Sequence, residues 1–306
     1  MQLDISESSL PVFEALASPT RLKIIYLLSQ NKMNIKELAN ELHMSSAIVT
    51  RHIKQLEEAN IIKTEKAPGK SGLQKVSSLA IDNIKIQFPI KLFHQYQIHK
   101  MDLPVGHYTD YHVAPTCGLA TLTDCIGKVD EPKYFMDAGR MDARIIWFTQ
   151  GYLEYKIPNL LHENETPHLL EISLELASEF PFSNNVWPSD ITFFINNKNV
   201  GTWTCPGNFS DIRGKYNPDW WDINNSQYGL LKYIRISEHG TFIDGEKLSD
   251  VTLDQLSLSN DLITFRIAVL EDAKHVGGAT IFGKGFGNYD QDIEIKLYYS
   301  NVEDED

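Results

Sequence analysis

NIKELANELHMSSAIVTRHIKQLEEANII (residues 34–62), followed by KTEKAPGKSGLQKVSSL (residues 63–79), is the stretch that organises the chain. Ile35, Leu38, Ala39 and Leu42 recur at the spacing of one helical face. Asn34 precedes them as an N-cap, and Glu37 stands three residues later, where a capping box puts its acid. After His43-Met44, Ser45 caps a second helix whose apolar face is Val49, Ile53 and Leu56. Burying that face turns Ser46, Ala47, Thr50, Arg51 and Lys54 outward. Small residues there let a helix approach base edges in a major groove, while the two cations meet guanine or phosphate. Ile61–Glu65 and Leu73–Leu79 read as two strands around Pro68-Gly69-Lys70-Ser71-Gly72. Lys66, Lys70 and Lys75 make that hairpin a basic wing for the DNA backbone. A plain helical bundle with solvated lysines is the competing reading. The order of caps, turn, second helix and basic hairpin favours the helix-turn-helix with a wing.

At these residues the chain resembles the ArsR-type winged helix-turn-helix repressors of bacteria. ALASPTRLKIIYLL (Ala15–Leu28) is similar to their leading helix, and MSSAIVTRHIKQLEEANII (Met44–Ile62) to their recognition helix and its exit. The resemblance covers the first quarter of the chain and implies double-stranded operator DNA as the partner. Many members carry a metal-binding cysteine pair in the first helix of the motif. Asn34–Leu42 has no cysteine, so no metal is expected there. The family also ends in a dimerising helix after the wing, whereas residues 81–89 alternate like a strand. A homodimer is still expected, because paired recognition helices reading a near-palindrome are how short sites become specific. It would rest on the first helix, on the second domain, or on both.

Upstream, residues 8–17 read as a helix with Val12, Phe13 and Leu16 on one side. Ser18 and Pro19 start another as N-cap and first residue, and Leu22, Ile25 and Leu28 continue it as a buried face.

The 306 residues exceed one winged helix and allow two domains. The net charge of −13 argues against a nucleic-acid binder until the chain is divided. Residues 1–90 hold 11 Lys and Arg against 9 Asp and Glu; the rest holds 17 against 32. Only the first part can sit on phosphates. Three cysteines without paired spacing, no signal peptide and no long apolar run lead us to expect a cytoplasmic protein without a membrane segment. Cys117, Cys125 and Cys205 are expected to be small apolar core residues rather than a metal or redox site.

From about residue 90 short β-rich runs replace helical periodicity: Phe93–His99, Tyr108–Val113, Ile145–Phe148, Leu170–Leu176, Ile191–Ile195, Tyr233–Ile236, Leu262–Val269 and Ile293–Tyr299. Asn196-Asn197-Lys198-Asn199 is a hairpin signal. The fold class is therefore α+β multidomain: a winged helix-turn-helix over residues 1–88, then an antiparallel, jelly-roll-like β-sandwich over residues 89–306.

In the second part the aromatic loop Thr202–Asn224 is the most unusual stretch. Trp203, Tyr216, Trp220 and Trp221 stand among Asp211, Arg213 and Asp219, a combination suited to stacking and hydrogen-bonding a sugar effector. The same loop could seal one end of the sandwich with its own tryptophans; adjacent Trp220 and Trp221 cannot both point to one side of an extended chain. Lys284-Gly285-Phe286-Gly287 lacks the Walker pattern, and its glycines are better read as allowing close backbone approach. Asn288, Asp290 and Asp292 could line a polar pocket, and Arg140, Asp142 and Arg144 alternate along an expected strand. No catalytic or cofactor motif occurs, which argues against an enzyme, although paired carboxylates facing each other would not show in sequence. The expectation is a DNA-binding regulator with a ligand-sensing sandwich. The alternative is a ligand-free dimerisation or protein-interaction module in its place.

Overall fold

The computed structural model describes residues 1–69, 72–81, 83–87, 96–258 and 260–301. The chain divides into two compact units, Met1–His94 and Gln95–Asp306.

The first unit holds β1 (Gln2–Asp4), α1 (Leu10–Leu16), α2 (Pro19–Gln30), β2 (Met33–Asn34), α3 (Ile35–Leu42), α4 (Ser46–Glu58), β3 (Ile62–Gly69), β4 (Gly72–Leu79) and β5 (Lys85–Gln87). The capping box at α3 is complete. The Asn34 side chain accepts the N–H groups of Lys36 and Glu37 at 2.9 and 3.0 Å, and the Glu37 carboxylate accepts the Asn34 N–H at 2.7 Å. His43 ends the helix at φ 53°, and Ser45 caps α4 through the Ile48 N–H. Val49, Ile53 and Leu56 of α4 pack with Leu38 of α3, Ile24 and Leu28 of α2 and Val12 of α1 in one core. Each such side chain contributes about 1.5–3 kcal/mol on burial.

Two details of α2 differ from the sequence reading. Ser18 stands at the N-cap of α2 but makes no side-chain cap bond. Leu22 is exposed, and the inward stripe of α2 runs instead through Ile24 and Leu28, four residues apart, with Ile25 and Leu27 flanking it. The wing also gains a strand: β2 pairs with β4 through Met33–Ser77 and Asn34–Val76, giving the order β2-β4-β3. Beyond the wing, β5 pairs in parallel with β1. Of residues 81–89, only 85–87 form the strand that the alternation predicts; 81, 83 and 84 are not strand, and 82, 88 and 89 lie outside the described residues.

The second unit is antiparallel β throughout its sheet: β6 (Gln97–Leu103), β7 (Asp110–Ala120), β8 (Ile145–Pro158), β9 (Glu165–Ala177), β10 (Ser189–Ile195), β11 (Lys198–Cys205), β12 (Leu230–Ser237), β13 (Gly240–Ile243), β14 (Glu246–Ser249), β15 (Leu262–Val269), β16 (Ala279–Phe282) and β17 (Ile293–Asn301). One face follows the order β7-β8-β15-β10-β11 and the other β6-β17-β9-β12-β13-β14. The short β16 joins them, pairing with the start of β8 on one side and the end of β9 on the other. At the far margin the Ser249 hydroxyl of β14 donates to the Val200 carbonyl of β11 at 2.7 Å, so the folded sheet nearly closes into a flattened barrel.

Alternation decides the core. Leu153, Tyr155 and Ile157 of β8 point inward with Ile263, Phe265 and Ile267 of β15, against Leu170, Ile172, Leu174 and Leu176 of β9 and Ile293, Ile295 and Leu297 of β17. The β10–β11 hairpin turns on Asn196 and Asn197, at φ 47° and 64°, as its asparagines predict. Cys117 and Cys205 are buried and all three thiols are free; burial pushes the first two up to about 11. Ala138–Asp142 forms a 3-10 turn, so Arg140, Asp142 and Arg144 do not alternate along a strand. Arg140 is instead drawn under the unit by two carbonyls, Gly106 at 2.7 Å and Tyr108 at 2.8 Å. Phe93–Gln95 of the first expected strand lie outside the described residues; β6 begins at Gln97. Among the described residues no helix is long and apolar enough to cross a membrane.

Candidate functional site

The outward face of α4 is as its periodicity dictates. Ser46, Ala47, Thr50, Arg51 and Lys54 are exposed, and Ser45 sits at the cap beside them. Arg51 makes no hydrogen bond or ion pair among the described residues and is free for a base or phosphate. Lys54 meets Glu58 at 3.6 Å, but both are largely solvated, so that pair contributes little and yields easily to a phosphate. The Thr50 hydroxyl donates to the Ser46 carbonyl at 2.7 Å, which leaves its oxygen to accept and its methyl to pack.

Lys66 and Lys75 are direct partners across β3 and β4, and both are exposed. Like charges facing each other across a hairpin repel, and neither has a carboxylate partner among the described residues. An anion between them relieves the repulsion, which is what a phosphate offers. Lys63, by contrast, is held by Glu65 at 3.0 Å. Lys70 lies outside the described residues.

Three further residues went unnoticed in the sequence. Ile48 is 48% exposed on the first turn of α4, where an apolar side chain can meet a thymine methyl; its type gave no hint of an outward position. Arg21 ties the helices together, donating to Ala15 O at 2.6 Å, Glu14 O at 2.6 Å and Gln55 Oε1 at 2.7 Å. It thereby fixes α4 against α1 and α2. Beside it His52 has a buried, unpartnered Nδ1; burial, then the charges of Arg21 and Arg51, lowers its imidazole and keeps it neutral at pH 7.

The aromatic loop is less uniform. Trp221 is 5% exposed, packed edge-to-face on Trp147 and Phe286, and its indole donates to Ser226 O at 2.9 Å. It is core, so its faces are not free to stack on a ligand. Arg213 is spent on carbonyls, those of Pro218 at 2.7 Å and Trp221 at 3.3 Å. Asp211 accepts the Tyr228 hydroxyl at 2.7 Å. Trp203 lies on β11, half-buried, with the Lys232 ammonium 4.6 Å from its ring centroid. Tyr216, Asp219 and Trp220 face solvent, and the Trp220 indole donates to Leu122 O at 2.6 Å. The loop is held from beneath by Asn217, whose amide donates to Gln227 and whose oxygen accepts the Gly287 N–H at 2.7 Å.

The glycines after β16 serve close approach. A Cβ on Gly287 would sit 2.4 Å from a Glu175 oxygen, and its φ is +72°. Glu175 accepts the N–H groups of Gly229, Asn288 and Tyr289, so Asn288 belongs to a packed junction rather than an open pocket. Asp292 is likewise engaged, by Arg144 at 3.5 Å.

The helix pair α3–α4, whose second member exposes a small-and-basic face, together with the basic hairpin β3–β4 defines a winged helix-turn-helix. The model of the bacterial regulatory protein, arsR family, matches residues 18–64, and these residues are an arsR-family helix-turn-helix domain. An uncharacterized HTH-type transcriptional regulator of Methanocaldococcus jannaschii is 42% identical over 52 residues, 17% of this chain and 55% of that protein. The chain therefore spans about half the length of that relative. Among solved structures, HlyU from Vibrio cholerae is 22% identical, covering 24% of this chain and 75% of that one, with a TM-score of 0.22. NolR from Sinorhizobium fredii is 24% identical, covering 24% and 70%, also at 0.22.

Proposed function

We propose that the chain is a DNA-binding transcriptional regulator acting as a homodimer in the cytoplasm, with the first unit on double-stranded operator DNA and the second sensing a small molecule. The observation that carries it is the exposed face of α4, with Arg51 unpaired, beside the uncompensated Lys66–Lys75 pair. Ser45, Ser46, Ala47 and Thr50 give the helix room to enter a major groove; Arg51 and Lys54 reach base edges or phosphates. Lys66, Lys75 and Lys70 follow the backbone. The effector is a sugar; of the aromatic loop, Tyr216, Asp219 and Trp220 are candidate residues that stay exposed to solvent. Control is by linkage: an effector that binds one arrangement of the paired recognition helices better changes operator affinity by its differential affinity.

A duplex selected from random sequence by the wild-type protein provides the probe, and anisotropy at two salt concentrations the measurement. Affinity falls as salt rises, and Lys66→Ala and Lys75→Ala each lower the salt slope by about 1. A salt-independent affinity would remove the phosphate contacts, and the function with them.

One observation favours a second reading, in which the second unit docks a protein instead. Phe182 and Val186 are 74% and 79% exposed, on a segment bridged through Asn184 and Asn208 to the loop carrying Ile212.

A further inference from the structure

The sheet face formed by β7, β8, β15 and β10 carries an open groove of about 400 Å³ on its outward side. Strand register explains its shape. Asp110, Glu154, Arg266 and Phe194 form one cross-strand row, and His112, Tyr152, Ala268 and Thr192 form the next. Ala268 and Gly151 keep the floor low between larger side chains. Gly151, at φ +110°, has no room for a side chain: a Cβ there would lie 1.8 Å from the His112 carbonyl oxygen. The wall is rigid. The Arg266 guanidinium is gripped by the Glu154 carboxylate at 2.9 and 2.5 Å and lies 4.4 Å from the Tyr152 ring centroid and 6.0 Å from that of Phe194.

Three polar side chains enter this groove with no hydrogen bond or ion pair among the described residues: His112, Gln150 and Glu271. They offer an imidazole, an amide and a carboxylate, that is, donors and acceptors side by side. Arg266 is already neutralised by Glu154, and Glu271 adds negative charge, so an anionic ligand gains nothing here. A ring bearing vicinal hydroxyls fits: each hydroxyl both donates and accepts, and its C–H face packs on Tyr152 and Ala114. The volume lies near the lower end of small-molecule sites, about 300–1,000 Å³.

We propose that this groove is the effector site and that it takes a neutral carbohydrate of one or two rings. This rests on the sensing role given to the second unit and places the ligand on the sheet face rather than on the aromatic loop.

The test uses the full chain with glucose, galactose, N-acetylglucosamine, maltose and cellobiose, with glucuronate and glucose 6-phosphate as charged counterparts. Thermal shift and titration calorimetry are read on wild type, Gln150→Leu/Glu271→Ala and Trp220→Ala, and the affinity of each for the selected duplex is measured in parallel. At least one neutral sugar should stabilise the wild type. The double variant should lose about tenfold or more in sugar affinity, the worth of one or two hydrogen bonds, while keeping its unliganded melting point and its DNA affinity. Trp220→Ala should bind sugar as wild type does. If Trp220→Ala loses the sugar and the double variant keeps it, the groove is overturned while carbohydrate sensing stands. Binding of the charged sugars alone overturns the neutral class. Stabilisation by none of them overturns both the groove and the sugar effector; the duplex affinities then show whether the DNA-binding half survives by itself.

Discussion

Helix α4 and the aromatic loop Thr202–Asn224 both concentrate residues of functional type, yet only one of them presents those residues as its sequence implies. In α4, burying Val49, Ile53 and Leu56 leaves Ala47, Arg51 and Lys54 no direction but outward, because the helical period couples every side chain to that choice. In the loop no period exists, and each side chain goes where a local partner takes it. Arg213 turns to carbonyls, Trp221 into a core with Phe286 and Phe282, and Trp220 to the rim. Residue type alone therefore identifies a surface only where the backbone is regular.

The sharpest way to break this contrast is Trp221→Ala. Emptying a buried indole site should cost the second unit about 3–5 kcal/mol in chemical denaturation. A loss below about 1 kcal/mol would mean that the ring is not part of the core.

Next comes a pH effect confined to the second unit. Burial pushes the Glu175 carboxyl up to about 7 and that of Glu179 up to about 8, against the N–H groups donated to the first and the Thr116 and Thr280 hydroxyls donated to the second. In the folded unit these groups hold protons that the unfolded chain has released. Their contribution is complete below the ordinary carboxyl value, shrinks steadily as pH rises above it, and is gone once pH has passed about 7 to 8. The melting point of the second unit should accordingly fall across that range, and Glu179→Gln should flatten the fall. A melting point that rises with pH there contradicts the burial of both acids as the controlling factor.

On the helix side, Arg51→Ala should weaken binding to a selected duplex by about 1–3 kcal/mol, the discrimination of one good base contact, without moving the melting point. Unchanged affinity would take Arg51 out of the contact set. The smallest effect belongs to Trp220→Ala. With its ring at the rim and one indole hydrogen bond, it should cost about 1 kcal/mol of stability, well under its neighbour. Equal losses at Trp220 and Trp221 would erase the distinction between rim and core.

The extent to which the fold could be read in the sequence follows the same division. The capping box at Asn34 and Glu37, the α4 stripe, the Asn196-Asn197 turn and the strands around Ile191, Leu262 and Ile293 were all visible, since each is a short-range pattern. The short strands β13, β14 and β16 gave no such signal; β16, four residues long, is held as strand by pairing with β8 on one side and β9 on the other. The groove over Ala268 was invisible for a related reason. Its lining comes from four strands that are neighbours only through β7–β8, β8–β15 and β10–β15 pairing, across separations of up to about 160 residues.

What the sequence alone determined, then, is the helix-turn-helix, its outward face and the β character of the rest, because caps, turns and periodicity act between residues a few positions apart. Which loop aromatics are core, where Arg21 anchors α4, and where the sheet leaves an unfilled hollow were decided only by tertiary structure. Those outcomes depend on which distant side chains pack together, and that packing is not encoded in the order of near neighbours.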